Sequence, residues 1–593
     1  MTKAWIPPLA DTRFVLGELI DLDRAIERAG NHVDRPGVDQ ILDEAARFAT
    51  DVLTPLDRPG DATGARLENG TVVLPSGFAE AYGRFVEGGW NALASPAAIG
   101  GAGVPKALAT AVAEYWTSAS MAFGLCPLLT QSGIELLARH GTTAQRQTYL
   151  PNLVSGRWTA TMCLTEAHAG SDVGALRTRA VRQGERWHVR GEKIFITYGD
   201  HAMAENIVHL VLARPEGAPA GNKGLALFAV PKFIPDRSGA PGRRNDLRVM
   251  RLEHKLGIHA SPTCHMAFGE AEGAEGELVG AEGGGLAAMF TMMNSARLAV
   301  GVQGIAMGEA AVRHAARYAG ERVQGRAHDG RPAGIDQHPD VRRSILVARA
   351  EVEAMRGLAL VLADALDHAD HGLDAASRGR AADLADLLIP VVKACGADAG
   401  IAAADAAIQV HGGHGYIEDS GAAQTWRDAR ITAIYEGTNG IQALDLVRRK
   451  LGRDRGQAAL GFVGQVAAVA RDLAAAAELE GLRRRLDMAV DALGMATRWM
   501  TAAVERDGDE AAAGASDYLR LFGVVAGGWI MARSALAARA RLAQGPSAPL
   551  PPEVYRAKLI SARIHADHVL PRATALAASA TSGAALLRAI DRL

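Results

Sequence analysis

Between residues 158 and 280 the hydrophobic period of the chain changes, and this limits the fold more than any other feature of the sequence. Short apolar runs at 187–196, 207–213 and 225–230 are separated by Gly, Pro and Asn, the punctuation of β-strands. On either side the spacing is helical. Ile41, Leu42, Ala45, Phe48 and Ala49 fall on one helix face, and the same periodicity returns after Gly284 and lasts to the end. The chain of 593 residues exceeds one hydrophobic core, so about three to five structural units are expected. The reading is an α+β fold, mainly α, with five parts: an N-terminal helical extension (1–36), an N-terminal helical domain (37–157), a central β-domain (158–280), a helical bundle (281–452) and a further C-terminal helical domain (453–593). In the extension the amphipathic run 14–29 predicts one helix. In the β-domain, the stretches 218–222 and 235–246 read as exposed connections.

Charge narrows the function classes. The 64 Lys plus Arg nearly balance the 66 Asp plus Glu, so no general field favours nucleic acid or an anionic membrane, and no nucleic-acid partner is expected. Cys126, Cys163, Cys264 and Cys395 lie far apart, which argues against a zinc ribbon or a disulfide framework and for a cytoplasmic setting. The first 16 residues lack the apolar core of a signal peptide. The most apolar window, 286–307, is interrupted by Asn294, Arg297 and Gln303, so no integral membrane association is expected.

Two stretches carry chemistry. In Ile434-Tyr435-Glu436-Gly437-Thr438-Asn439, a carboxylate sits between apolar residues and a turn-forming glycine, with no Lys or Arg close in sequence. Such a setting raises a carboxylate pKa toward the working pH and suits a general base. Thr438 or Asn439 would cap the helix begun by Ile441, whose free N–H groups suit a phosphate. An ordinary capped helix start satisfies the same residues. The second stretch runs Cys163-Leu164-Thr165-Glu166-Ala167-His168-Ala169-Gly170-Ser171-Asp172 at the entry to the β-domain. Its small residues let a flat ligand lie on backbone, with the Thr165 hydroxyl on a heteroaromatic edge and Ser171 toward a phosphate. A polar loop that merely turns is the alternative.

Four motifs then stand in order: Thr165-Glu166 with Gly170-Ser171-Asp172; Lys193-Ile194-Phe195-Ile196-Thr197; Gln409 with Gly412-Gly413 and Gly415-Tyr416; and Tyr435-Glu436-Gly437-Thr438. In that order and spacing, from about residue 40 to 450, the sequence resembles the acyl-CoA dehydrogenase family. The resemblance implies FAD held between the β-domain and the bundles of two subunits, hence a homodimer, with acyl-CoA as substrate and an electron-transfer flavoprotein as partner. Thr165 and Thr197 match ligands of the flavin ring near N1 and N5, and Phe195 takes the place of the usual ring-packing tryptophan. Cys163, Leu164, Gly170, Ile196 and Thr438 fall beside them as cofactor contacts. Ser171 is similar to a serine near the pyrophosphate, Arg322 to an arginine reaching the neighbouring subunit's FAD, and Gln409, Gly412 and Gly413 to the segment under the adenosine end. Arg297, Ser171, Tyr435 and Gly437 match acyl-CoA contacts, and Glu436 the base that removes the α-proton.

The sequence also departs from the family pattern. After Glu321-Arg322 it reads Val323-Gln324-Gly325-Arg326, one residue short and without the family's phenylalanine; His338 replaces a glutamine, with Gln337 adjacent; and Gln424 stands where Lys or Arg is usual. Together with the extra C-terminal domain, these resemble the 3-methylmercaptopropionyl-CoA dehydrogenase subgroup of dimethylsulfoniopropionate breakdown. A general acyl-CoA dehydrogenase, an acyl-CoA oxidase or a non-catalytic flavin-binding protein are the alternatives. His411 and His414 invite a metal reading but lack a third ligand, so none is assigned. Glu166 is expected to organise its loop, and Met289, Met292 and Met293 to fill the core.

Overall fold

The computed structural model describes residues 7–184 and 186–590. They form two compact units. One is built from Arg47–Val104 and Ala119–Ala296; the other takes the residues up to Ala46, Pro105–Ser118 and the chain from Arg297 on.

The first unit opens with a short hairpin, β1 (Arg66–Glu68) and β2 (Thr71–Val73), inside the stretch read as wholly helical. Its turn is Asn69-Gly70, both at positive φ, the pair a tight hairpin requires. The main sheet has eight strands: β3 (Trp158–Cys163), β4 (Arg179–Gln183), β5 (Arg186–Thr197), β6 (Asn206–Pro215), β7 (Ala226–Pro231), β10 (Leu247–Leu252), β11 (Thr263–Phe268) and β12 (Ala274–Val279). The order is β10-β11-β5-β12-β7-β6-β3, with β4 pairing β5 and β6. Both faces of the sheet are covered. Leu210 and Leu212 point into a core with the helices Met121–His140 and Thr143–Val154, while Val211 and Ala213 point into a second core with Trp187, Phe228 and Met266. That is why the central strands read as continuous apolar runs rather than alternating ones. Met289 and Met292 are fully buried in the first core, and Met293 packs against it.

The stretch 235–246 is not a plain connection. It holds most of a hairpin, β8 (Phe233–Pro235) with β9 (Pro241–Arg244), whose turn is organised by the Asp236 carboxylate accepting from Ser238 N at 2.8 Å. Its strand character is hidden because β9 is exposed and arginine-rich.

The second unit is a bundle led by the helices Pro339–His371 and Ala375–His411, with the part of Gly285–Glu321 that follows Arg297. These backbones come into direct contact. A Cβ on Gly400 would lie 2.0 Å from the Gly304 carbonyl, so only glycine permits this crossing. Beyond residue 452 come the helices Gln457–Leu473, Glu480–Arg506, Gly508–Ala543, Pro552–His568 and Arg572–Ala580. Two sequence expectations change here. The run 14–29 is not one helix: it breaks at Ile20, which is extended, and restarts at Leu22 with the Asp21 side chain accepting from Arg24 N. After Arg322 a hairpin, β13 (Val323–Arg326) with β14 (Pro332–Gly334), replaces continuous helix.

Among the described residues, three helical segments, Met121–His140, Ala375–Tyr416 and Gly508–Ala543, are long and apolar enough to cross a membrane, and none of them is the window 286–307 that the sequence points to. In each, 78% of the apolar window is buried within the protein, so core packing accounts for its composition.

Candidate active site

In the second unit, Glu436 occupies the left-handed region at φ 56, followed by Gly437 at φ 82. A non-glycine residue there costs about 1–2 kcal/mol, so the surroundings must hold it. They do so from several sides. The fully buried Gln442 donates Nε2 to the Glu436 carbonyl at 3.0 Å and to the Gly437 carbonyl at 3.3 Å. Thr438 caps the following helix, Asn439–Leu444, its hydroxyl accepting from Ile441 N at 3.2 Å. The Tyr435 hydroxyl donates to Gln303 Oε1. The Glu436 N–H itself makes no hydrogen bond to the described residues, which leaves a backbone donor beside the carboxylate.

No Lys or Arg stands close to Glu436 in sequence, but the fold brings two cations to it. Arg297 and Lys393, both buried, act electrostatically on its carboxylate. They come from helices distant in sequence, and Arg297 is also 3.2 Å from Asp445. Burial nevertheless outweighs both cations, and the Glu436 pKa is raised to about 7. The combination defines a carboxylate poised to take a proton near neutral pH. Lys393 and Gln442 were not read from the sequence as part of this site, and Asn439 only as an alternative to Thr438 as the cap. The available signal was a lone lysine inside the apolar run 389–395.

Arg322 is exposed just past the helix Gly285–Glu321, and Gln409, Gly412 and Gly413 lie at the end of Ala375–His411. The two helix ends meet: Tyr318 stacks on His411 with ring centroids 4.2 Å apart and lies near His414. His411 Nδ1 is hydrogen-bonded to the Ala407 carbonyl at 2.7 Å. Gly412 and Gly413 have open space where a Cβ would stand. The hairpin after Arg322 is fastened by His338 Nε2 to the Gln324 carbonyl at 2.8 Å, so His338 serves this turn.

In the first unit, β5 carries a bulge. Its register against β11 slips between Lys193 and Ile196, and Phe195 stands there at φ 61 with 59% of its surface exposed. Bulges that re-aim a side chain cluster beside functional sites. Ile194 N donates to the Thr165 carbonyl at 2.9 Å, tying the Thr165 loop to the bulge, and Thr197 ends the strand. Beneath lies a buried ion pair. Lys193 Nζ donates to Glu166 Oε1 at 2.8 Å and to the Leu164 carbonyl at 2.9 Å, while Glu166 also accepts from Arg177 N, Thr178 N and the Thr178 hydroxyl. Glu166 thus organises the loop. Leu164 packs against the first core, while Cys163 and Ile196 are buried in the second, so only their main chain is left for a ligand. Gly170 and Ser171 are exposed on the same loop. An exposed aromatic face bordered by two threonines fits a flat heteroaromatic ring.

The chain is similar to known proteins along nearly its whole length. Family models for the acyl-CoA dehydrogenase N-terminal domain match residues 37–157, the middle domain 161–271 and the C-terminal domain 283–451, and a model described as acetyl-CoA dehydrogenase C-terminal like matches 462–591. The chain is 46% identical over 539 residues, 90% of each chain, to a 3-methylmercaptopropionyl-CoA dehydrogenase of Ruegeria pomeroyi. It is 35% identical over 587 residues, 95% of each chain, to the broad-specificity linear acyl-CoA dehydrogenase FadE5 of Mycobacterium tuberculosis. Its fold is similar to that of Caenorhabditis elegans ACDH-11, solved with C11-CoA, at a TM-score of 0.77, 19% identity and coverage of 96% of this chain and 93% of that one. The chain therefore belongs to the acyl-CoA dehydrogenase family. It is an oxidoreductase of acyl-CoA thioesters.

Proposed function

We propose that the protein oxidises a short acyl-CoA thioester, 3-methylthiopropionyl-CoA first, to the 2-enoyl-CoA, with Glu436 as the base and FAD as the cofactor. The observation that carries this reading is Glu436: a carboxylate with a pKa of about 7, fixed in a strained loop beside an unused backbone N–H. An α-proton becomes removable when the thioester carbonyl is polarised, and the Glu436 N–H is the donor this loop offers for the developing enolate. The carboxylate then takes the proton. Arg297 and Lys393 stabilise the charged form enough to keep it available at neutral pH.

FAD supplies, when bound, the acceptor for the hydride that leaves the β-carbon. The exposed Phe195 with Thr165 and Thr197 would hold its ring system and Ser171 its pyrophosphate, while Arg322, Gln409, Gly412 and Gly413 would reach the pyrophosphate and adenosine end of the FAD in the neighbouring subunit. With Arg322 and the Gln409 segment serving the neighbouring subunit's FAD, the working unit is a cytoplasmic homodimer that passes electrons to an electron-transfer flavoprotein. Support for the methylthio substrate is the similarity to the Ruegeria pomeroyi enzyme.

The test is anaerobic single-turnover flavin bleaching with acyl-CoA thioesters from short to long. Purified protein is expected to hold FAD, to bleach fastest with 3-methylthiopropionyl-CoA, and to react more slowly with butyryl-CoA. The separation should be modest, because one methylene in an apolar pocket is worth about 1–3 kcal/mol. Fastest bleaching by long chains would contradict the substrate assignment.

A further inference from the structure

Lys393 lies in the helix Ala375–His411 with none of its surface exposed, and a buried ammonium needs partners. Its Nζ donates to Asn439 Oδ1 at 3.1 Å. Asn439, three residues beyond Glu436, opens the helix that Thr438 caps. Its amide nitrogen donates to Asp398 Oδ1 at 2.7 Å and to the Ala394 carbonyl at 3.3 Å. This fixes the amide one way round, oxygen to the cation and nitrogen to the anion.

The chain of contacts does not stop in the bundle. Asp398 Oδ2 lies 3.7 Å from Arg520 Nε, on the helix Gly508–Ala543 of the C-terminal domain. The same helix also meets Ala375–His411 through a weak hydrogen bond: the Cys395 thiol, in the turn after Lys393, donates to the Leu519 carbonyl at 3.8 Å. Arg520 is half exposed and also faces Asp517 at 3.6 Å, so the pair adds little to stability.

We propose that Asp398, Asn439 and Arg520 are positioning residues for the reaction: the C-terminal domain, through Arg520, holds the Asp398–Asn439–Lys393 relay that fixes the Glu436 loop. The inference rests on Glu436 being the base. The groups facing this relay are Arg297 from Gly285–Glu321, Lys393 and Asp398 from Ala375–His411, Arg520 from Gly508–Ala543, and Glu436 itself.

The experiment compares Asn439→Ala, Asp398→Asn, Arg520→Ala, Arg520→Lys and Glu436→Gln in the full-length holoenzyme. It reads kcat and KM with butyryl-CoA, exchange of the butyryl-CoA α-hydrogens with heavy water, FAD content and Tm. Asn439→Ala and Asp398→Asn should lower kcat and the exchange rate about 10- to 100-fold, as a small misplacement of a reacting group does, with KM within about twofold and FAD retained. Arg520→Ala should lower both about 3- to 10-fold at unchanged Tm, and Arg520→Lys should restore them to within about twofold, because either cation can pair with Asp398. Arg520 is on the surface, so its variants fold whatever the buried ones do. Wild-type kcat and exchange in Arg520→Ala, with Glu436→Gln inactive in both, would overturn the inference and leave the base in place. Undiminished exchange in Glu436→Gln would instead overturn the base reading.

Discussion

Gln442 Nε2 donates to the main-chain carbonyl of Glu436 at 3.0 Å, from a side chain with no exposed surface. A second bond to the Gly437 carbonyl means that one amide pins both peptide groups that follow the carboxylate. Gly437 leaves no slack, since a Cβ there would stand 2.8 Å from Gln442 Nε2. The positive φ of Glu436 is therefore held by a side chain six residues ahead of it in the chain.

Replacing Gln442 with Leu should leave two carbonyls unpaired and release that loop. A buried group left without its partner costs about 1–3 kcal/mol, so kcat for flavin reduction is expected to fall by roughly 10- to 100-fold with FAD retained. Stopped-flow bleaching checks this, and an unchanged rate would show that the loop holds itself.

The pH dependence of the reductive step follows from Glu436. The reactive form is the carboxylate, and the pKa near 7 makes the rate rise as pH rises through about 7, then level off. Lys393 lowers that pKa, so Lys393→Met should shift the rise to higher pH. Reduction rates from pH 5 to 9 decide it.

Arg356 anchors a buried ionic cluster in the second unit. It donates to Glu114 at 2.6 Å and to Glu309 at 2.7 Å, and it also meets Asp11, joining the N-terminal extension to the bundle. Burial opposes ionisation of Glu309, yet Arg356 and Arg313 hold its pKa down to about 2. Arg356→Met would strand two buried carboxylates and should cost about 3–5 kcal/mol of stability, measured by denaturant unfolding. A loss below about 1 kcal/mol would show that the carboxylates simply take up protons.

Much of the fold was legible in the sequence because burial on both faces of the sheet leaves uninterrupted strand runs, as in β6 and β7. The hairpin at Asn69-Gly70 was missed, because its three-residue strands are lost among helical neighbours. The loop around Glu436 was legible in the residues themselves because they are contiguous. Glu436, Gly437 and Thr438 stand together in the chain, whereas Arg297 and Lys393 reach Glu436 only through helix crossings such as Gly304 on Gly400, which no local pattern encodes. The bulge at Phe195 was invisible for a related reason: a Lys-Ile-Phe-Ile-Thr run reads as regular strand, and only pairing with β11 exposes the extra residue.

Three buried histidines should make stability fall in acid. His201, His209 and His565 are buried, and desolvation lowers each pKa to about 3. They are neutral in the folded protein, while the unfolded chain protonates them near 6.5. Their contribution is whole above about pH 6.5 and is lost as pH falls toward 3, at roughly 1.4 kcal/mol per pH unit for each. Unfolding free energy measured from pH 7 to 4 should fall steeply, and His209→Asn should flatten the slope by about one histidine's share.

The most direct measurement is anaerobic mixing of Glu436→Gln holoenzyme with butyryl-CoA. The amide is nearly isosteric and cannot accept the α-proton, so FAD content and thioester binding should match the wild type while flavin bleaching slows by about 10²–10⁴-fold, the usual worth of a general base. Bleaching at the wild-type rate would show that a different residue takes the proton.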